Sequence, residues 1–121
     1  MKKDPKIFLI HIVTSVEAIE TYINGLTKDQ FVDSQQTQDA IIRRVEIIGE
    51  AVKNLPNDFR KQHPDVSWKQ ATGMRDMMIH EYFGVDLNIV WKTINKDLPP
   101  FKEQVAKIIK ELGGQEAIKF K

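Results

Sequence analysis

Between Asp33 and Leu55 the chain keeps Ile41, Val45, Ile48, Val52 and Leu55 three or four residues apart, with Arg43, Arg44, Glu46, Glu50 and Lys53 set between them. A repeat of about 3.6 is the signature of one helix face, and it excludes the period-two alternation of a half-buried strand. A helix with so long an apolar stripe has to be covered by other helices before it is stable in water.

The remaining sequence offers those helices. Asp4-Pro5 puts a capping acid before a proline suited to the first helical position, and Phe8, Ile12, Ser15, Ile19, Tyr22 or Ile23, and Leu26 follow at helical spacing until Asn24-Gly25 ends the segment. A short turn is expected after Thr27. The long striped segment then opens near Asp33-Ser34, and Pro56 and Pro64 bracket a short piece from Asn57 to His63. Ser67 is a cap for a helix from Trp68 to His80 or Glu81, and Gly84 breaks it. Asp86 caps a segment carrying Leu87, Val90 or Trp91, and Ile94. Pro99-Pro100 interrupts or restarts the pattern before Val105, Ile108, Ile109 and Leu112, and Gly113-Gly114 closes it. No strand pattern, repeat or low-complexity tract competes. The expected fold is all-α, an up-and-down helical bundle of four to five helices.

The chain has 121 residues, which suits one domain over residues 1–114 with a loose tail at 115–121. The absence of Cys excludes disulfides and thiolate chemistry and fits a cytoplasmic location. A net charge of +1 is too balanced to draw the whole molecule onto a polyanion, so nucleic-acid binding has to come from a local patch. The apolar run Ile7 to Ile10 is too short for a membrane span, meets His11 and Thr14, and has no cleavage site after it, so neither a signal peptide nor a membrane association is expected.

None of His11, His63 and His80 follows a Glu by three residues, so the Glu-x-x-His pattern of di-iron bundles is missing, and neither a metal nor a cofactor is expected. The methionines 74, 77 and 78 read as packing residues. Glu46 and Glu50 share a face and read first as a solvated or salt-bridged edge, with the lining of a site as the lesser alternative.

Met74 to Tyr82 carries the chemistry. With Met74 as origin, Met77 and Met78 fall within about 60° of it on a helix, while Arg75, Thr72, Asp76 and His80 fall at about 100°, 160°, 200° and 240°. The methionines define a buried side and the others a polar stripe. Asp76 and His80, four apart, are neighbours on that stripe, so the carboxylate is placed to hold one imidazole nitrogen. Arg75 is a permanent cation whose planar fork matches a phosphate. This is a minimal outfit for cleaving a phosphodiester by attack of a ribose 2′-hydroxyl, which needs proton transfer and charge neutralisation. One chain has one histidine in the stripe, whereas the reaction gains from both a base and an acid. Two copies meeting across a two-fold axis would supply both, and a homodimer with a shared cleft is expected. Taken alone, the Arg/His pair is also compatible with a surface arginine and a helix-terminal histidine favoured by the macrodipole.

The segments His63-Pro64-Asp65-Val66-Ser67-Trp68, Gly73-Met74-Arg75-Asp76-Met77-Met78-Ile79-His80-Glu81-Tyr82-Phe83-Gly84-Val85-Asp86 and Val90-Trp91, with Ile41-Ile42-Arg43-Arg44-Val45-Glu46-Ile47-Ile48-Gly49-Glu50-Ala51 upstream, resemble the HepT-like branch of the HEPN ribonuclease toxins. The similarity runs through nearly all of residues 5 to 112. The resemblance implies a dimerising helical bundle and a metal-independent RNA endonuclease site on Arg-x4-His-x-Tyr, matched by Arg75, His80 and Tyr82. It also implies a type VII toxin–antitoxin pair, in which a minimal nucleotidyltransferase antitoxin moves AMP from ATP onto that tyrosine. On this view Arg75 binds the scissile phosphate, His80 handles protons, Asp76 orients His80 or contacts RNA, and AMP on Tyr82 competes with RNA for Arg75. Arg43, Arg44, Lys53 and Lys69 are candidates for an RNA-tracking patch. The alternative function is a non-catalytic helical module that partners a nucleotidyltransferase.

Overall fold

The computed structural model describes residues 4–80, 84 and 86–113, with the backbone alone at Ile79 and His80. All regular structure among them is helical: α1 Pro5–Ile23, α2 Lys28–Val32, α3 Gln35–Asn54, α4 Asn57–Gln62, α5 Trp68–His80, α6 Leu87–Lys96 and α7 Leu98–Glu111. The all-α expectation holds, and the count exceeds the expected four or five because short pieces form helices of their own. The turn expected after Thr27 is α2. Thr27 accepts from the Gln30 backbone N–H at 3.1 Å while the Gln30 side chain accepts from the Thr27 N–H at 2.9 Å, a reciprocal cap that fixes five residues as one helical turn.

Helices α1, α3 and α6 start where capping chemistry directs. The Asp4 carboxylate accepts from Lys6 N–H at 2.9 Å ahead of Pro5, Ser34 Oγ from Thr37 N–H at 3.2 Å, and the Asp86 carboxylate from Asn88 N–H at 2.8 Å. Gly25, at φ 80°, supplies the left-handed residue that ends α1. Pro99 and Pro100 restart the chain by sitting in the first turn of α7, where no intrahelical N–H is lost.

Helix α3 lies between α1 and α5; α1 packs in turn on α7, α7 on α6, and α2 bridges α3 and α6. The α3 stripe of Ile41, Val45, Ile48, Val52 and Leu55 is fully buried, as its spacing requires. On α1 the buried face is wider than the predicted stripe. Leu9, Val13 and Val16 join Ile12, Ser15 and Ile19, whereas Tyr22 is exposed and Phe8 half-buried, because α1 is covered by α3 on one flank and α7 on the other. Met74 and Met78 are buried and Met77 packs against the core partly exposed.

The start of α5 is pinned by Trp68. Its indole N–H donates to the His63 carbonyl at 3.0 Å, and its ring meets Phe101 of α7 edge-on at 6.2 Å. This anchor, with Met74 and Met78 in the core, fixes which side of α5 faces outward. Phe31 of α2 packs on Trp91 of α6 at 5.2 Å, and Lys102 of α7 reaches Glu20 of α1 at 2.7 Å.

Candidate active site at the α3–α5 seam

Arg75 leaves α5 toward α3, and its aliphatic stem crosses that helix at Gly49. A Cβ at position 49 would lie 2.4 Å from Arg75 Cδ and 2.7 Å from its Cβ and Cγ, so no residue larger than glycine fits beneath it. Gly49 sits in mid-helix, where glycine costs about 1 kcal/mol relative to alanine. The close approach of Arg75 is the structural reason for that glycine.

Beyond the stem, the guanidinium is fastened at two corners. One terminal nitrogen donates to Glu50 Oε1 at 2.6 Å and the other to Asp76 Oδ1 at 3.0 Å. The arginine side chain is only 18% exposed, against 56% for Glu50 and 51% for Asp76, so a well-covered cation ends in an accessible rim of carboxylates. Its Nε is buried with no hydrogen-bond partner among the described residues. Each terminal nitrogen of an arginine carries two N–H donors, so these two bonds leave a second donor on each. The seam therefore holds the fork in a fixed orientation while keeping donors for an anion. A phosphate arriving there adds charge-assisted hydrogen bonds or displaces Glu50, the more exposed carboxylate.

The structure gathers some of the predicted site residues and separates others. Arg75 and Asp76 are in direct contact, so Asp76 holds the arginine. The expected Asp76–His80 contact lies outside the described side chains, and Tyr82 lies outside the described residues. His80 is the last residue of α5, one turn beyond Asp76. Arg43 falls on the Glu50 side of α3 and is loosely paired with Glu46 at 3.9 Å. Arg44 is turned about 100° away by the helix and its Nε donates to the Tyr22 hydroxyl on α1 at 3.3 Å, so these two arginines do not form one patch. Lys53 is exposed on α3 and Lys69 on the first turn of α5. Glu50 is the salt-bridged edge expected of it, and its partner makes it part of the site. The spacing of the α3 stripe assigns Gly49 no role, although a lone glycine inside a strong helical stripe is a sequence signal for close packing.

The sequence pattern of the family described as "Ribonuclease HepT-like" matches residues 12–108, and the chain belongs to that family. It is 51% identical over 112 residues to "Gamma-glutamylcyclotransferase and putative RNase MJ0434" of Methanocaldococcus jannaschii. That match covers 93% of this chain and 50% of the relative, so the chain spans half the length of that protein. It is 43% identical over 110 residues to "Probable ribonuclease HepT" of Thermococcus cleftensis, covering 91% of this chain and 100% of the relative. No solved structure gives a significant match. The chain is thus a HepT-like ribonuclease of the HEPN type, and the α3–α5 seam is its candidate site.

Proposed function

We propose that the chain is a metal-independent RNA endonuclease, the toxin of a type VII toxin–antitoxin pair, acting through Arg75, Asp76 and His80 at a homodimer cleft. The observation that carries this reading is the Arg75 guanidinium, covered along its stem by α3 and held at two corners by carboxylates, at the head of an Arg-x4-His pattern on one helix. Such a fork is pre-organised to meet charge that develops on a phosphate.

In the reaction, a ribose 2′-oxygen bonds to the adjacent phosphorus as the bond to the 5′-oxygen breaks. One His80 takes the 2′ proton, and His80 of the partner subunit protonates the departing 5′-oxygen, leaving a 2′,3′-cyclic phosphate and a 5′-hydroxyl. Arg75 neutralises the charge on the non-bridging oxygens, and Asp76 keeps Arg75 oriented within reach of His80. The nucleotidyltransferase antitoxin places AMP on Tyr82, with pyrophosphate leaving ATP. The added phosphate, two residues from His80, occupies the Arg75 donors and blocks RNA.

Purified protein incubated with single-stranded RNA in chelator is expected to yield cyclic-phosphate ends. Arg75→Ala and His80→Ala are expected to lose about 100-fold or more in rate with unchanged helicity. Undiminished cleavage by His80→Ala ends the assignment, and a sedimentation profile showing an active monomer ends the shared cleft.

A further inference from the structure

Upstream of Arg75 on the same helix lies a second feature that the reaction does not use. An open groove of about 340 Å³ runs between α4 and the start of α5, lined by Asn57, Arg60, Lys61, Trp68, Lys69 and Thr72. Three of those six residues are cations and none is acidic. Among the described residues, Arg60, Lys61 and Lys69 form no ion pair, although Arg43, Arg75 and Lys102 all do. Lys61 and Lys69 are exposed, and Arg60 is held at the wall by the Asn57 side chain, with its Nε buried and without a hydrogen-bond partner among the described residues.

Two further features favour an anion there. The groove is lined by Trp68 and Lys69 of the first turn of α5, a helix of 13 residues, so the positive end of that helix lies beside the cations. Its floor is fixed, because Trp68 is tied to the His63 carbonyl and to Phe101, so the cations stand on an ordered wall. Helix geometry aligns the groove with the active site. From Met74, Lys69 falls at about 220° and Thr72 at about 160°, on the stripe that continues through Asp76 to His80. Lys69 precedes Arg75 by about 9 Å along the axis, a span that a single strand covers in a few nucleotides.

We propose that this groove is a phosphate-tracking subsite for single-stranded RNA, gripping the backbone on one side of the bond cut at Arg75 and His80. It takes backbone phosphates without reading bases, since the wall supplies point charges and amide or hydroxyl groups and Trp68 is too buried to serve as a stacking platform. The proposal rests on the ribonuclease reading for its location, and the test separates the two.

The probe is a 2′-O-methyl 12-nucleotide strand, which binds without being cleaved, read by fluorescence anisotropy across a salt series. In the full chain, Lys61→Gln with Lys69→Gln removes two exposed charges outside the catalytic machinery. Each contact to a single strand contributes about 0.7 to the slope of log K against log salt, so the double variant is expected to lose about 1.4 in slope and on the order of tenfold in affinity at 0.1 M salt. Cleavage of a dinucleotide, too short to reach the groove, is expected to stay at the parental rate. A double variant with parental slope and affinity overturns the groove while leaving the ribonuclease reading intact. Loss of slope in a protein that cuts no RNA keeps the groove and rejects the ribonuclease reading.

Discussion

Two helices of the site each carry a glycine in mid-helix, and the two stand in opposite surroundings. At Gly49 of α3 an added Cβ would collide with three carbons of Arg75, whereas at Gly73 of α5 it would meet nothing within 4 Å among the described residues. Both positions forgo about 1 kcal/mol of helix stability relative to alanine. For Gly49 the chain itself supplies the reason, because the arginine stem occupies the missing volume. For Gly73 the described residues supply none. Gly73 lies within about 20° of His80 in helix register, on the stripe that the proposed dimer and its RNA would approach. The difference teaches that one side of the candidate site is closed by packing between α3 and α5, while the Gly73 side is open among the described residues.

The largest effect expected from this contrast is at Gly49. Gly49→Ala forces Arg75 off its seat or α3 and α5 apart, which costs about 1–3 kcal/mol of overpacking against about 1 kcal/mol of helix propensity gained. RNA cleavage is expected to fall at least tenfold, well beyond what the net stability change explains when the folded fraction is followed by circular dichroism. A Gly49→Ala protein with parental rate would show that the seat of Arg75 is immaterial to catalysis.

Gly73 should behave in the opposite way. In dilute protein Gly73→Ala is expected to gain about 0.5–1 kcal/mol in a denaturant melt, since an alanine there meets no neighbour among the described residues. Gly73→Leu, which projects further, is expected to shift sedimentation toward monomer. Unchanged self-association in Gly73→Leu would move the dimer contact elsewhere on the molecule.

The smallest effect belongs to an ion pair remote from the seam. Lys102 Nζ and Glu20 Oε1 tie α7 to α1 at 2.7 Å, and the hydrogen bond to Glu20 raises the lysine pKa above its ordinary value against the opposing effect of burial, with Glu17 and Glu103 adding to the rise. A raised folded-state pKa means stability that is complete below the unfolded value of 10.5 and disappears as pH climbs through the folded one. Lys102→Met is expected to cost about 1 kcal/mol or less near neutrality, with its deficit relative to the parent shrinking only above pH 10.5. RNA cleavage near neutrality should not change. Lys102–Glu20 and Arg75–Glu50 are close in length, yet one is a clasp between α1 and α7 and the other holds the fork of the candidate site.

Much of the fold could be read from spacing and caps. The stripe Ile41 to Leu55, the capping residues Asp4, Ser34 and Asp86, and the glycine stop after Asn24 are local signals that do not depend on what packs against them. The helix at Lys28–Val32 escaped because one turn gives too short a periodicity, although Thr27 and Gln30 held its capping box. The buried breadth of α1 escaped because it depends on α7, more than 70 residues away in sequence by any pairing of their residues.

By itself the sequence determined an all-helical chain, the family resemblance and the polar stripe that carries Arg75, Asp76 and His80, since these rest on residue order along single helices. Only the tertiary structure decided that Arg75 lies over Gly49, that Glu50 shares its fork, that Arg43 and Arg44 part company, and that α4 and α5 together enclose a basic groove. Those relations join residues on different helices, and their distances are set by how the apolar faces pack, which no local period encodes.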